Sequence, residues 1–81
     1  MRLTFFTKPN CPLCDKALEQ IELARQMAGF ELLEVNILSD PTIYARYKDS
    51  IPVALLNGQE LFRFQITAAE LLAYLQSNKA S

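Results

Sequence analysis

The chain has 81 residues, 51% of them hydrophobic, and a net charge of −1 in which acidic and basic side chains are well mixed. This length predicts a single domain, spanning residues 1–81, with a modest core. The charges form no basic face for nucleic acid, no apolar run reaches the roughly eighteen residues of a membrane span, and the N-terminus has no secretory-signal pattern, so we expect a cytoplasmic protein.

The first half of the chain predicts a strand, a helix and a second strand. The first strand is Leu3–Thr7, whose continuous apolar, aromatic and β-branched character is typical of a strand covered on both faces. After a turn, a helix begins at about Cys11 or Pro12, where proline is favoured, and Gly29 ends it. Phe30–Ile37 is the second strand, which completes a βαβ unit with a right-handed crossover.

A short helix is predicted next. Asp40 is a candidate N-cap and Pro41 fits the first helical position. The helix runs past Tyr44 and Tyr47 and ends near Lys48 or Asp49. Because residues three apart share a helix face, we expect the two tyrosines to pack rather than to bind a ligand.

A β-hairpin follows the short helix. Val53–Leu56 is one strand, and Asn57-Gly58 is typical of a type I′ turn. Glu60–Phe64 alternates between apolar and polar residues, as expected for a strand with one wet face. Phe62 and Phe64 fall on the same side of it, and we expect both to pack.

The last helix starts with a capping box, in which Thr67 is the N-cap and Glu70 occupies the third helical position. Residues 77–81 form a polar tail that we expect to fray. The predicted order is therefore β-α-β-α-β-β-α, in which two parallel strands feed an antiparallel hairpin and helices cover the sheet. This order is typical of an α/β fold.

The chain contains no histidine and only two cysteines, Cys11 and Cys14, at the seam between the first strand and the first helix. Residues three apart on a helix share a face, so the two sulfurs can meet. Free N–H groups and the helix dipole favour a thiolate at Cys11, and Lys8 could add positive charge. We expect an exposed Cys11 to attack a disulfide and a more buried Cys14 to resolve the mixed disulfide.

Zinc sites use the same cysteine spacing, but a structural zinc ion needs about four ligands. This chain offers two thiols and no histidine. Carboxylates could complete such a site, two chains could share one, or the thiols could be inert core residues. A Cys-x-x-Cys motif that opens the helix of an N-terminal βαβ unit favours redox chemistry.

Three segments match a known family in sequence and in order: Lys8-Pro9-Asn10-Cys11-Pro12-Leu13-Cys14, Ile51-Pro52-Val53 and Asn57-Gly58. With them, nearly the whole chain resembles the glutaredoxins of the thioredoxin-like fold. The resemblance implies a four-stranded mixed sheet in the order 2-1-3-4, flanked by three helices, and a cis peptide bond before Pro52, beside the cysteines. The backbone of Ile51 could then pair with an extended peptide or with glutathione.

The resemblance also implies a function and a set of site residues. The function is that of a thiol–disulfide oxidoreductase in electron transport and cell redox homeostasis, acting on a disulfide-bearing protein or a glutathione mixed disulfide. Free N–H groups at the start of the last helix could hold a carboxylate. Leu13 stands where the family typically has an aromatic residue. The residues implied to contact substrate or glutathione are Lys8, Pro12, Ile51, Pro52 and Thr67.

On this interpretation no cofactor is required, glutathione is a co-substrate, no metal site is predicted and the expected state is a monomer. Two alternatives stay open. In one, a dimer holds zinc or an iron–sulfur cluster between two Cys11 thiolates. In the other, the chain is a redox-inactive adaptor that binds partners through an exposed Ile51-Pro52 loop.

Overall fold

The computed structural model describes residues 1–79. Its elements are β1 (Arg2–Thr7), α1 (Pro12–Ala28), β2 (Glu31–Asn36), α2 (Pro41–Tyr47), β3 (Val53–Leu56), β4 (Gln59–Arg63) and α3 (Ala68–Lys79), with a 3₁₀ turn at Ile37–Ser39. The strands are ordered β2-β1-β3-β4; β1 is parallel to β2, and β3 is antiparallel to both β1 and β4. The expected α/β fold, with sheet order 2-1-3-4, is confirmed.

β1 lies in the interior of the sheet because it is apolar on both faces. Leu3 and Phe5 are fully buried. Phe6 points to the opposite face and stacks on Tyr47 of α2, with ring centroids 4.4 Å apart. Tyr44 is exposed, contrary to our prediction, because α2 has only seven residues and buries none of them fully. α2 therefore packs on the sheet through one tyrosine rather than two.

α1 covers the sheet with a narrow apolar stripe that includes the second cysteine. Its buried residues are Cys14, Ala17, Ile21 and Ala24. Alanine at two of these positions leaves room for the helix backbone to approach the sheet closely. The helix ends at Gly29, which has a φ of 62° and donates its N–H to the carbonyl of Arg25 at 3.0 Å, as expected for a terminal glycine.

α3 begins at the predicted capping box. The N–H of Glu70 donates to Thr67 Oγ1, and the N–H of Thr67 donates to Glu70 Oε1, both at 3.1 Å. The helix continues to Lys79, so residues 77–79 are helical rather than part of a frayed tail, and residues 80 and 81 lie outside the described residues. Within residues 1–79, no helix is long and apolar enough to cross a membrane.

Two other local predictions, the cap of α2 and the turn of the hairpin, are confirmed. Asp40 Oδ1 accepts hydrogen bonds from the N–H groups of Thr42 at 2.8 Å and Ile43 at 3.2 Å. Asn57 and Gly58 both have positive φ, 51° and 89°, as a type I′ turn requires. The hairpin therefore folds back at the predicted position.

β4 departs from the regular alternation that we predicted for Glu60–Phe64. Its pairing with β3 slips by one residue at Leu61, which forms a β-bulge, and the strand ends at Arg63. Phe62 is buried, but Phe64 lies beyond the strand with a φ of 70° and an exposed ring. The prediction that both phenylalanines pack is therefore wrong for Phe64, because the backbone turns before the next inward position.

A pH-dependent ion pair lies beside the bulge. Arg63 donates two hydrogen bonds to the Glu60 carboxylate, at 2.8 and 2.9 Å, and these bonds lower the pKa of Glu60 below its ordinary value of 4.5. A carboxyl group with a lowered pKa in the folded state stabilises the fold above its unfolded pKa and loses that contribution as the pH falls through the folded value. We therefore expect Glu60→Gln to reduce the loss of stability on acidification.

Urea unfolding midpoints measured from about pH 6 down to about pH 3 check this expectation. The change is expected to be small, because both side chains are exposed and water screens the pair. Glu34→Gln on β2 is the matched control, since Glu34 is also an exposed strand glutamate. The prediction would be contradicted if the urea midpoint fell by the same amount in Glu60→Gln and in the wild-type protein over this pH range.

Candidate active site

The turn between β1 and α1 delivers the two cysteines to the start of the helix. Asn10 has a left-handed φ of 58°, which asparagine tolerates better than most residues. Cys11 follows as the N-cap of α1, with φ −118° and ψ 101°, and Pro12 occupies the first turn. This local sequence places Cys11 at the helix cap and Cys14 inside the first helical turn.

Cys11 and Cys14 are joined by a disulfide, and their Cα atoms are 5.2 Å apart. The backbone N–H of Cys14 donates to Cys11 Sγ at 3.2 Å, so sulfur takes the place of the oxygen that usually caps a helix. A donor in this position, at the positive end of the helix dipole, stabilises negative charge on the sulfur. Of the two sulfurs, that of Cys11 is therefore better placed to carry a thiolate.

Cys11 is more enclosed than the sequence predicts, whereas Cys14 is buried as predicted. Cys14 is 1% exposed and Cys11 is 9% exposed, and both belong to the core cluster that also contains Ile51. Cys11 is the more accessible of the two, as predicted. The prediction of an exposed Cys11 is wrong in degree, because its sulfur turns back into the first turn of α1. A substrate sulfur therefore has a narrow approach to Cys11.

The Ile51–Pro52 peptide bond is cis, as the resemblance implies, and directly precedes β3. The carbonyl of Pro52 accepts a hydrogen bond of 2.6 Å from the N–H of Phe64. The side chains of Ile51 and Pro52 are both buried. The exposed apolar loop that the adaptor alternative needs at these residues is therefore absent, and any contact that they make with a substrate has to involve their backbone.

We expected free backbone N–H groups at the start of α3, but three of the N–H groups there are hydrogen-bonded. The capping box uses the N–H groups of Thr67 and Glu70. A third N–H, that of Ala68, donates to Gln20 Oε1 of α1 at 2.9 Å. These three donors are bonded to side chains of the protein itself, so a carboxylate would have to displace them. A binding role for Thr67 stays a prediction.

Lys8 and Pro12 lie exposed on either side of Cys11 in the chain. Their roles in substrate binding stay predictions.

Sequence reasoning missed two residues near the site. Gln20 caps α3 from another helix, and Phe64 donates its N–H to the carbonyl of Pro52. The only signal for either was weak, namely a polar residue on α1 and a phenylalanine at the end of a strand.

A metal site finds no support among the described residues. Within residues 1–79, no group of three or more histidine, cysteine, aspartate or glutamate side chains could hold a metal ion. The two thiols of the chain are instead paired with each other. The zinc or iron–sulfur alternative would have to draw further ligands from a second chain.

Comparison with known proteins agrees with this geometry. Residues 2–76 match the model of a family described as glutaredoxin-like domain (DUF836), a range that includes both cysteines and Pro52. An uncharacterised protein of Mycobacterium tuberculosis is 23% identical, over 89% of this chain and 79% of that protein.

Solved structures show the same fold. A structural-genomics target protein from X. campestris is 30% identical, with a TM-score of 0.78, over 93% of this chain and 96% of that chain. Thioredoxin 1 from Thermosipho africanus TCF52B is 16% identical, with a TM-score of 0.70, over 99% of this chain and 96% of that chain. The second likeness concerns the thioredoxin fold alone. The family match, which spans most of the chain, shows that this protein belongs to the glutaredoxin-like domain family.

Proposed function

We propose that the protein is a thiol–disulfide oxidoreductase in which Cys11 attacks and Cys14 resolves. The observation that carries this proposal is the disulfide between the two residues at the start of α1, with the Cys14 N–H bonded to Cys11 Sγ. The two sulfurs are within bonding reach, and only one of them lies at the open end of the helix. Membership of the glutaredoxin-like domain family supports the same function.

The reaction starts from the reduced protein, with both cysteines as free thiols. Cys11 is held as a thiolate by the Cys14 N–H and the helix dipole, and it attacks one sulfur of a substrate disulfide. A bond forms between Cys11 Sγ and that sulfur, and the substrate S–S bond breaks. The other substrate sulfur leaves as a thiolate and takes a proton from water. The product is a mixed disulfide on Cys11.

Cys14 completes the reaction. Its thiol gives up a proton to solvent, and the resulting thiolate attacks Cys11 Sγ. The intramolecular disulfide closes, and the second substrate sulfur leaves as a thiolate that is then protonated. Two electrons have passed from the dithiol to the substrate, and a thiol reductant has to restore the dithiol. Because Cys14 is fully buried, it does not compete with Cys11 for external disulfides.

We place substrate binding at the rim around Cys11. The backbone of Ile51 pairs with an extended peptide, and Lys8 and Pro12 contact the substrate beside the reacting sulfur. The substrate is a disulfide-bearing protein or a glutathione mixed disulfide. In the second case Thr67 also contacts the substrate. One chain supplies both sulfurs, so the reaction needs no second copy, and we propose that the protein acts as a monomer. A reducing compartment such as the cytoplasm suits this direction of electron flow.

A redox titration tests the proposal. We expect the wild-type protein to pass reversibly between dithiol and disulfide forms at a potential between about −120 and −300 mV, read as the fraction of thiols that react with an alkylating reagent. Cys14→Ser is the control, because it cannot form the intramolecular disulfide. A wild-type protein whose thiols remain in one state across that range would refute the function.

A further inference from the structure

The sheet has two outer edges, and they differ in how well they are protected from pairing with another chain. Natural proteins interrupt or cover an edge strand, because its free N–H and C=O groups can bond to a further strand. At the β4 edge, the bulge at Leu61 disturbs the strand, and the carbonyl of Arg63 accepts the N–H of Gln65 at 2.8 Å. At the opposite edge, all six residues of β2 pair with β1 without a register shift. β2 therefore presents a regular edge.

Two residues of β2 direct their backbone groups away from the sheet. The N–H of Glu31 donates to the carbonyl of Met1 at 3.0 Å, so the backbone groups of Glu31 face β1. Successive residues of a strand bond to alternate sides, so the backbone groups of Leu32 and Glu34 face outward. No side chain or loop within residues 1–79 bonds to them. The N–H and C=O groups of both residues are therefore free to bond to an added strand.

The side chains of β2 indicate what kind of strand fits this edge. Its only charged residues are two glutamates, Glu31 and Glu34. Glu31 pairs with Arg2 at 3.3 Å, whereas Glu34 is exposed and forms no ion pair with any residue that the structure describes. Leu33 is 48% exposed and projects from the opposite face of the sheet to Glu34. A strand with a basic residue opposite Glu34 and apolar residues on the Leu33 face complements both side chains.

We propose that the β2 edge binds an extended segment of a partner polypeptide in which basic and apolar residues alternate. The backbone of the segment adds a strand to the sheet, and a basic side chain pairs with Glu34. A second copy of this chain fits less well. An antiparallel copy that bonds Leu32 to the other Glu34 places the two Glu34 carboxylates diagonally across the strand pair, where like charges repel. The inference does not depend on the proposed function, because neither cysteine takes part in it.

The test uses the oxidised full chain and two short fluorescent peptides, in which valine alternates with lysine or with glutamate. Fluorescence anisotropy at low ionic strength gives the two dissociation constants. We expect the lysine peptide to bind about threefold more tightly or better, and we expect added salt to reduce the difference. Glu34→Lys is expected to reverse the preference. Glu19→Lys makes the same change of charge at an exposed glutamate of α1 and should retain the wild-type preference.

Backbone pairing is tested by changing the peptide, so that the result does not depend on how well a variant folds. A strand bonds to β2 through only one of its own two edges. N-methylation of alternate residues of the lysine peptide is therefore expected to weaken binding about tenfold or more for one of the two alternating sets and to spare the other.

Four results would overturn the inference. The first three are no binding of the lysine peptide, equal binding of the lysine and glutamate peptides, and a Glu34→Lys variant that keeps the wild-type preference. The fourth is an equal effect of N-methylation at both sets of residues. Analytical ultracentrifugation checks the occupant. A wild-type chain that forms a dimer, and loses it when the lysine peptide is added, would show that a second copy occupies the edge and would also contradict the proposal.

Discussion

Cys11→Ser is expected to abolish disulfide reduction, and Cys14→Ser is expected to stop it halfway, at a mixed disulfide with the substrate. Cys11 supplies the attacking sulfur, and a serine oxygen cannot form the S–S bond that the reaction needs. Cys14 acts only after that bond exists, so its loss leaves the substrate attached to Cys11. Mass spectrometry without reductant distinguishes the two outcomes, because only Cys14→Ser gains the mass of the substrate.

The asymmetry between the two substitutions is the informative result. Each removes the disulfide and changes a residue of the core cluster, so a general loss of stability would affect both. Urea unfolding of the two reduced variants and of the reduced wild-type protein is the control for stability. Equal and small effects on electron transfer would indicate inert thiols, and trapping by Cys11→Ser would reverse the assigned roles.

Leu71→Ala is expected to lower the free energy of unfolding by about 2 to 5 kcal/mol. Leu71 is 0% exposed and belongs to the core cluster, and its helix α3 contacts α1. Truncation removes apolar contacts and leaves a cavity that the surrounding side chains refill only in part. Because a domain is stable by about 5 to 15 kcal/mol, a change of this size is a large share of the total.

Leu23→Ala is the matched control for this prediction, since Leu23 is also a helical leucine but is half exposed. Its cost is expected to stay within about 0.5 kcal/mol. Urea unfolding gives the free energies of unfolding of both variants, from the midpoint of the transition and the dependence of the free energy on urea concentration. If Leu71→Ala leaves too little folded protein to measure, Ile21→Val offers a milder core truncation, expected to cost about 0.5 to 1.5 kcal/mol. Equal costs at Leu71 and Leu23 would contradict the packing of α3.

Much of the fold follows from signals that act within a few residues. Pro12 and Gly29 bracket α1, and Asn57-Gly58 sets the turn of the hairpin. Each of these residues has a backbone preference that its neighbours do not override. The order of the strands cannot be predicted from such local signals, because no pattern within a strand indicates which strand it will pair with. That order was implied by the family resemblance alone.

The features that sequence reasoning missed depend on contacts between distant segments. Gln20 and Ala68 are 48 residues apart, and no local pattern indicates that a glutamine in one helix will cap another. Phe64 is two residues after Phe62, as alternation requires, but the bulge in β4 and the bond to Pro52 turn it outward. The bond between Phe64 and Pro52 belongs to the candidate active site, so the least predictable part of the fold includes a part of that site.

The cap of α1 by the sulfur of Cys11 has a thermodynamic consequence. The atom that exchanges disulfide partners is also the atom that closes the first helical turn, through the N–H of Cys14. Coupling between two such equilibria is reciprocal. A thiolate accepts this hydrogen bond more strongly than a disulfide sulfur does, so the oxidation state alters how firmly the first turn is held. For the same reason, a change in the stability of the turn shifts the balance between dithiol and disulfide. A substitution that changes only helix propensity at this end, with no contact to either sulfur, can thus retune the reduction potential.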